Sequence, residues 1–436
     1  MGKPGVSRSF LLVVWCMVCV VAVSGEIKTF RSPAFTLGPG DVENNYFWME
    51  LPPGHIGIKS FNGEVVDEDG HPVPLSEVYL HHWVAVRAYV DNKPTDISST
   101  DVSSARNAGI CQSEVLPQFF GFGSETRRTD YHIPEPYVIE TGNPEEIPEG
   151  YKEQWILNVH AIDTRGTVNP RHCVECLCAA YNVSVTEYGS KVPEEYVGGL
   201  GCCLHHYRCA LKEGVHGTKR NLYLQYTVEY VPMEPSLRPV RLYIIDITDD
   251  RKSVEETPRC KVEYDVLPCD RSKDIVCRDE KHALAWLPEE NVVDVIYVVG
   301  HLHGAGVSIA LHGQDGREIC TSYAMYGTGN EAGNEKGYVV GLGSCYPEIG
   351  SQKIKPGEKL HIKSVYKSDE LHTGVMGLVG ILVADPVAEH HRSSSYWKIT
   401  AAVVTVAVAV VVIGISLSRY AHSKRSNMGY QSVDQP

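Results

Sequence analysis

Positive charge is scarce in this chain. Lysine and arginine total 40 against 54 aspartates and glutamates, and in residues 26–395, without the two ends, the balance is 34 − 53, or −19. A surface of that sign repels phosphate backbones and anionic head groups. It excludes nucleic acid as a partner and favours cations and neutral molecules. Also missing are a Gly-x-Ser-x-Gly elbow and a His-Glu-x-x-His helix, so serine hydrolase and zinc protease readings have no anchor. The Gly-rich stretch from Gly327 to Gly343 lacks the Lys-Ser/Thr ending of a phosphate cradle and reads as a loop. There is no internal repeat, and between the two ends no segment keeps a helical period.

The ends carry targeting signals. Lys3 and Arg8 precede an apolar run from Phe10 to Val23 that closes on Ser24 and Gly25, which predicts a signal peptide over residues 1–25. Ile399 to Leu417 is 19 residues without a charge, long enough at about 1.5 Å per residue to cross ~30 Å of hydrocarbon. Arg419, Lys424 and Arg425 follow, which places the tail, 418–436, in the cytoplasm and makes the topology type I. A lipid-anchor precursor also ends in an apolar stretch, but no basic polar segment follows it there. The expected protein is anchored in the plasma membrane or an endomembrane, with its ectodomain extracellular or lumenal and residues 390–398 as a stalk.

Of 14 cysteines, Cys16 and Cys19 leave with the signal peptide. Cys111, Cys173, Cys176, Cys178, Cys202, Cys203, Cys209, Cys260, Cys269, Cys277, Cys320 and Cys345 remain in an oxidising compartment, where six disulfides are the default. The spacing from Cys173 to Cys209 could suggest zinc in a cytosolic protein, but thiolates are normally oxidised here. Asn182-Val183-Ser184 inside that cluster is the one N-glycosylation acceptor, and it marks an exposed loop.

Runs rich in Val, Ile, Tyr and Leu read as strands: Val78 to Val90, Gln154 to Asp163, Asn221 to Val231, Val240 to Thr248, Val292 to Leu311, Lys359 to Tyr366 and Gly374 to Ala384. The class is all-β, sandwich or jelly roll. Pro232, Pro235 and Pro239 crowd the best boundary, dividing residues 26–235 from 236–389.

The histidines are the informative residues. His81 and His82 are adjacent in one strand, and His160 sits in a second. His301 and His303 stand two apart, so they face the same way and can share a metal. Met376 lies on the last long strand. Two imidazoles with a thioether form a soft set that suits copper, above all Cu(I). Either a bulge turns one ring of the adjacent pair back, or only one of the two is a ligand, or the neighbouring rings reach one ion through different nitrogens, with His160 completing a site of nitrogen donors only.

The order His-His, His, His-x-His, Met resembles the copper type II, ascorbate-dependent monooxygenases: peptidylglycine alpha-hydroxylating monooxygenase and dopamine beta-monooxygenase. That resemblance implies two jelly-roll-like β-sandwich domains with one copper each. Carried onto this chain, His81, His82 and His160 would hold the electron-relaying ion, and His301, His303 and Met376 the ion where oxygen and substrate react, with ascorbate as reductant. The amidating members anchor substrate with an Arg two residues before His-x-His and an Asn and a Tyr after the Met. Here those places hold Val299, Gly377, Leu378 and Val379, so peptide amidation is disfavoured.

A closer likeness covers nearly the whole ectodomain. Leu80-His81-His82-Trp83, Gly123-Ser124-Glu125-Thr126-Arg127, Leu157 through Gly166, and His372-Thr373-Gly374-Val375-Met376-Gly377 are similar to the plant stress-up-regulated nodulin family. It implies a stress-linked plant surface or endomembrane protein and supplies no established reaction. Two functions follow as expectations. One is a membrane-anchored copper oxygenase acting on an unknown small molecule or peptide. The other is a non-catalytic copper-binding, redox or ligand-binding module that keeps only the scaffold. His372 is a spare ligand or outer partner on the Met376 strand, while His205 and His206 read as exposed and His390 and His391 lie in the stalk before the membrane.

Overall fold

In the strand Arg220–Pro232, Leu222, Leu224, Tyr226 and Val228 are buried while Asn221, Gln225 and Thr227 alternate outward. That is the period-2 pattern of a strand covered on one face. Val293–Leu302 is buried at every position, as a central strand covered on both faces must be. A computed structural model describes residues 25–91, 102–104, 120–185, 189–272 and 276–386.

The described strands form four sheets. One joins Glu26–Arg31, Arg220–Pro232, Ile56–Val66, Tyr137–Thr141 and Arg238–Pro239, with Phe35–Leu37 at its side. A second runs Val42–Met49, Tyr151–Asp163, Val78–Asp91 and Val102–Ser104, with Phe120–Phe122 also on Val78–Asp91. The third is built on His372–Ala384 between Arg241–Asp246 and Val293–Leu302. The fourth runs Arg278–Ala285, Leu360–Lys367, Gly306–His312, Glu318–Tyr326 and Val339–Leu342. Named strands pair antiparallel, except Arg238–Pro239 beside Tyr137–Thr141. Each sheet draws on one half of the chain, changing over between Pro239 and Arg241. The described residues up to Asp385 nonetheless form one compact unit.

The fold is all-β, and one strand reading needs correction. Val292 to Leu311 is not one strand but two, Val293–Leu302 and Gly306–His312. Ala305 adopts φ 67°, and the Gly306 amide donates to the His303 carbonyl at 3.1 Å, closing a turn that periodicity alone does not reveal. Among the described residues the two α-helices are short, Pro170–Val174 and Cys178–Tyr181. The Asn169 side chain caps the first, and disulfides Cys173–Cys209, Cys176–Cys203 and Cys178–Cys202 pin the region. Cys269–Cys277 and Cys320–Cys345 are bonded as well, Cys260 is disulfide-bonded, and Cys111 lies outside the described residues. Asn182 is exposed, in the left-handed conformation that ends the second helix. Among the described residues no helix is long and apolar enough to cross a membrane. The expected span Ile399 to Leu417, the stalk, the tail and the signal peptide short of Gly25 lie outside them.

Candidate metal centre

Val78–Asp91 pairs with Tyr151–Asp163 so that Leu80 faces Ala161 and His82 faces His160, leaving His81 as the extra residue of a bulge. The bulge turns two consecutive rings toward one partner. Ring centroids lie 4.8 Å apart for His81–His160, 5.0 Å for His82–His160 and 5.6 Å for His81–His82. The three offer ligating nitrogens within 4.8 Å of one another.

The hydrogen bonds around them select the free nitrogen on two of the rings, His82 and His160. Asn158 donates its amide to Asn44 Oδ1 at 2.7 Å and to the Asn45 carbonyl at 3.1 Å. Its Oδ1 is left to accept from His82 Nε2 at 2.8 Å, which frees Nδ1. His160 Nε2 donates to the Cys203 carbonyl at 3.0 Å, and its buried Nδ1 has no partner; neither does His81 Nδ1. A buried polar atom without a partner is rare in a folded protein and calls for an explanation. Burial, followed by repulsion from neighbouring imidazoles, holds His81 and His160 well below the ordinary histidine pKa; burial likewise brings His82 down to about 4. Neutral imidazole is the form that binds a metal.

The second set adjoins the first. His303 lies 5.1 Å from His81 and 5.2 Å from His301, centroid to centroid, so the five rings form one run. His303 Nε2 is another buried nitrogen without a partner. The Tyr366 hydroxyl accepts from the His303 amide at 2.9 Å and donates to the Met376 carbonyl, tying the two backbones together. Met376 shares a cleft of about 430 Å³ with His82, His160, His301, Lys261 and Glu263. Cys176 and Cys203 also approach His81, but their sulfurs are joined to each other and offer no thiolate. His372 instead meets Glu175 at 2.8 Å and Arg171 at 3.3 Å, clamping the first helix to the last strand. His205 and His206 lie 3.5 Å from the Glu43 carboxylate in a separate, partly exposed group.

Three site residues escaped the sequence reading: Asn158, Tyr366 and Glu125. Glu125 is buried, with Oε1 in a short contact with His301 Nδ1 and Oε2 accepting from the Gly123 amide at 3.0 Å. The whole segment Gly123–Arg127 is partnered. A Cβ at Gly123 would come within 2.5 Å of the His81 carbonyl. Ser124 donates to the Val339 carbonyl at 2.8 Å, Thr126 accepts from Trp83 Nε1 at 2.9 Å, and Arg127 reaches Glu335 at 2.8 Å. One pentapeptide thus joins the His81 strand to His301 and to the second half. The only signal pointing to it was its place among the segments resembling the nodulin family.

A model of the stress up-regulated Nod 19 family matches residues 25–386. The chain belongs to that family. No curated protein matches this Nod 19 member. Among solved structures, the mosquito-larvicidal Cry4Aa toxin from Bacillus thuringiensis aligns at 9% identity and TM-score 0.17, covering 75% of this chain and 58% of that one. A structure of infectious bursal disease virus, Gx strain, aligns at 10% and 0.18, covering 83% and 73%. Scores so low carry no argument.

Glu263 is the one cleft carboxyl with a displaced titration. It is half-buried, accepts from the Leu200 amide at 3.1 Å, and is raised by desolvation, then by Asp265, to about 8. A carboxyl raised on folding contributes stability that is fully present below its unfolded value and is lost as pH climbs through its folded value. Its own contribution to stability therefore falls from about pH 4.5 to about 8, opposed below about pH 6.5 by the lowered histidines, and Glu263→Gln removes the Glu263 share of the slope. Chemical unfolding across the range measures it; an unchanged slope assigns the dependence elsewhere.

Proposed function

We propose that this Nod 19 chain binds copper at the histidine run and uses dioxygen, with ascorbate as reductant, to hydroxylate a small molecule. The observation that supports it most is the donor set: His81 Nδ1, His160 Nδ1 and His303 Nε2 are buried without partners while the opposite nitrogens of His82 and His160 are engaged. His81, His82 and His160 would hold one ion, and His301, His303 and Met376 a second. Copper, when bound, supplies one-electron chemistry toward oxygen. The chain's own part is to keep the imidazoles neutral, to fix the His82 and His160 tautomers, and to orient His301 through Glu125. Val84, Val86, Phe122 and Leu378 keep part of the cleft wall apolar. Glu263 retains its proton up to about pH 8 at the same cleft.

In this reading the four sheets make two jelly-roll-like sandwiches. The signal peptide and the span at 399–417 make a type I glycoprotein of the plasma membrane or an endomembrane, with its glycan on Asn182. The second reading is a non-catalytic copper-binding or redox module. It draws on Val299, buried in an apolar wall where amidating enzymes carry an anchoring Arg.

The test is metal content by mass spectrometry on residues 26–395, beside a variant with His301 and His303 changed to Ala. Two coppers per chain falling to one supports the assignment, and no copper in either protein overturns it. Copper without oxygen uptake in ascorbate selects the non-catalytic module.

A further inference from the structure

Behind His301 lies a second, smaller cavity of about 50 Å³, walled by Phe61, Phe122, Tyr131, Val299, Leu378 and Leu382 among others. It shares Gly121, Phe122, His301 and Leu378 with the metal cleft, so His301 stands between the two. The polar side chains of its lining are that imidazole and two tyrosines; the Tyr297 hydroxyl donates to the Asp130 carbonyl at 2.7 Å, and the Tyr131 hydroxyl has no partner. The cavity has a local cause. Gly380 sits mid-strand in His372–Ala384, paired to Ile244 on one side and Val299 on the other, and presents no side chain to the space.

Size and polarity decide the ligand class. At about 50 Å³ the cavity is a third of the ~150 Å³ apolar cavity that admits benzene. A ring is too large, and the lining is mostly apolar: His301 and Tyr131 together offer only the minimum of the 2–4 polar partners a water needs. A diatomic apolar gas fits both limits. We propose that this cavity is a dioxygen site feeding the His301 side of the metal centre. The inference rests on the oxygenase reading for its purpose, though not for its occupancy.

Occupancy is testable without metal. With methyl-labelled, metal-free residues 26–395 under oxygen pressure, paramagnetic relaxation of the Val299, Leu378 and Leu382 methyls should exceed severalfold that of Leu37 and Leu224, buried in the first-half core. Gly380→Val should bring it down to their level. A Cβ at Gly380 meets nothing nearer than Val299 Cγ1, at an ordinary 3.6 Å. Gly380→Ala, expected to give a partial loss, serves if the valine variant does not fold. Equal relaxation at all these methyls in the native protein, or no change in the variants, overturns the site. In copper-loaded protein, Gly380→Val should raise the KM for dioxygen about tenfold, the scale on which methylene-sized changes discriminate in apolar pockets. Methyl occupancy with an unmoved KM overturns the feeding role. Occupancy with no oxygen consumption by native protein sinks the oxygenase reading and leaves the dioxygen site standing.

Discussion

Arg127→Met should lower stability by about 3–5 kcal/mol, the cost of leaving a buried charge without its partner. The guanidinium is 9% exposed and its partner Glu335 only 1%. Arg127 Nη1 donates to Glu335 Oε1 at 2.8 Å, Nε to Glu64 at 3.1 Å and Nη2 to the Val73 carbonyl at 2.7 Å. Glu335 Oε1 also accepts from the Leu75 amide at 2.9 Å, while Oε2 has no partner. Without Arg127 the carboxylate keeps one amide and little else, so it must stay charged in a poor medium or take up a proton. Adding Glu335→Gln, which preserves an acceptor for Leu75, should recover much of the loss. Denaturant unfolding of the two single variants and the double variant measures the coupling. A loss below about 1 kcal/mol, the range of exposed pairs, would show that this contact does not lock the halves.

Glu125→Gln should weaken metal binding at the His301 set about 10–100-fold, the usual penalty for removing a carboxylate behind a ligating histidine. The carboxylate accepts a hydrogen bond from His301 Nδ1–H and so presents Nε2 for coordination. An amide can still accept there but supplies no charge to raise ring basicity. A purely structural role would disturb both metal sets, whereas a positioning role leaves His81, His82 and His160 loaded. Copper titration followed by electron paramagnetic resonance separates them. Glu125→Asp, which restores the charge on a shorter arm, should recover part of the affinity. Simultaneous loss of both sets would remove Glu125 from the positioning role.

The strand reading succeeded where one apolar run corresponds to one strand, as in Arg220–Pro232 and His372–Ala384. It failed at Val292 to Leu311, where apolar residues continue through a turn made possible by one residue in the left-handed region. The two short helices around Cys173 and Cys178 are held by a cap and by disulfides, and too few residues are involved to show a period.

By itself the sequence determined the β class, the family and the side chains that qualify as ligands, because strand period, composition and donor chemistry are local properties. Tertiary structure decided how those side chains meet. The bulge at His81 depends on register against a strand some 80 residues away, since register is set by pairing rather than by either strand alone. Nothing in chain order places His303 beside His81, 222 positions earlier, at 5.1 Å, or Glu125 against His301, 176 residues on. Those contacts arise from packing one half on the other, whereas the unpartnered nitrogens of His81 and His160 come together where their two strands pair.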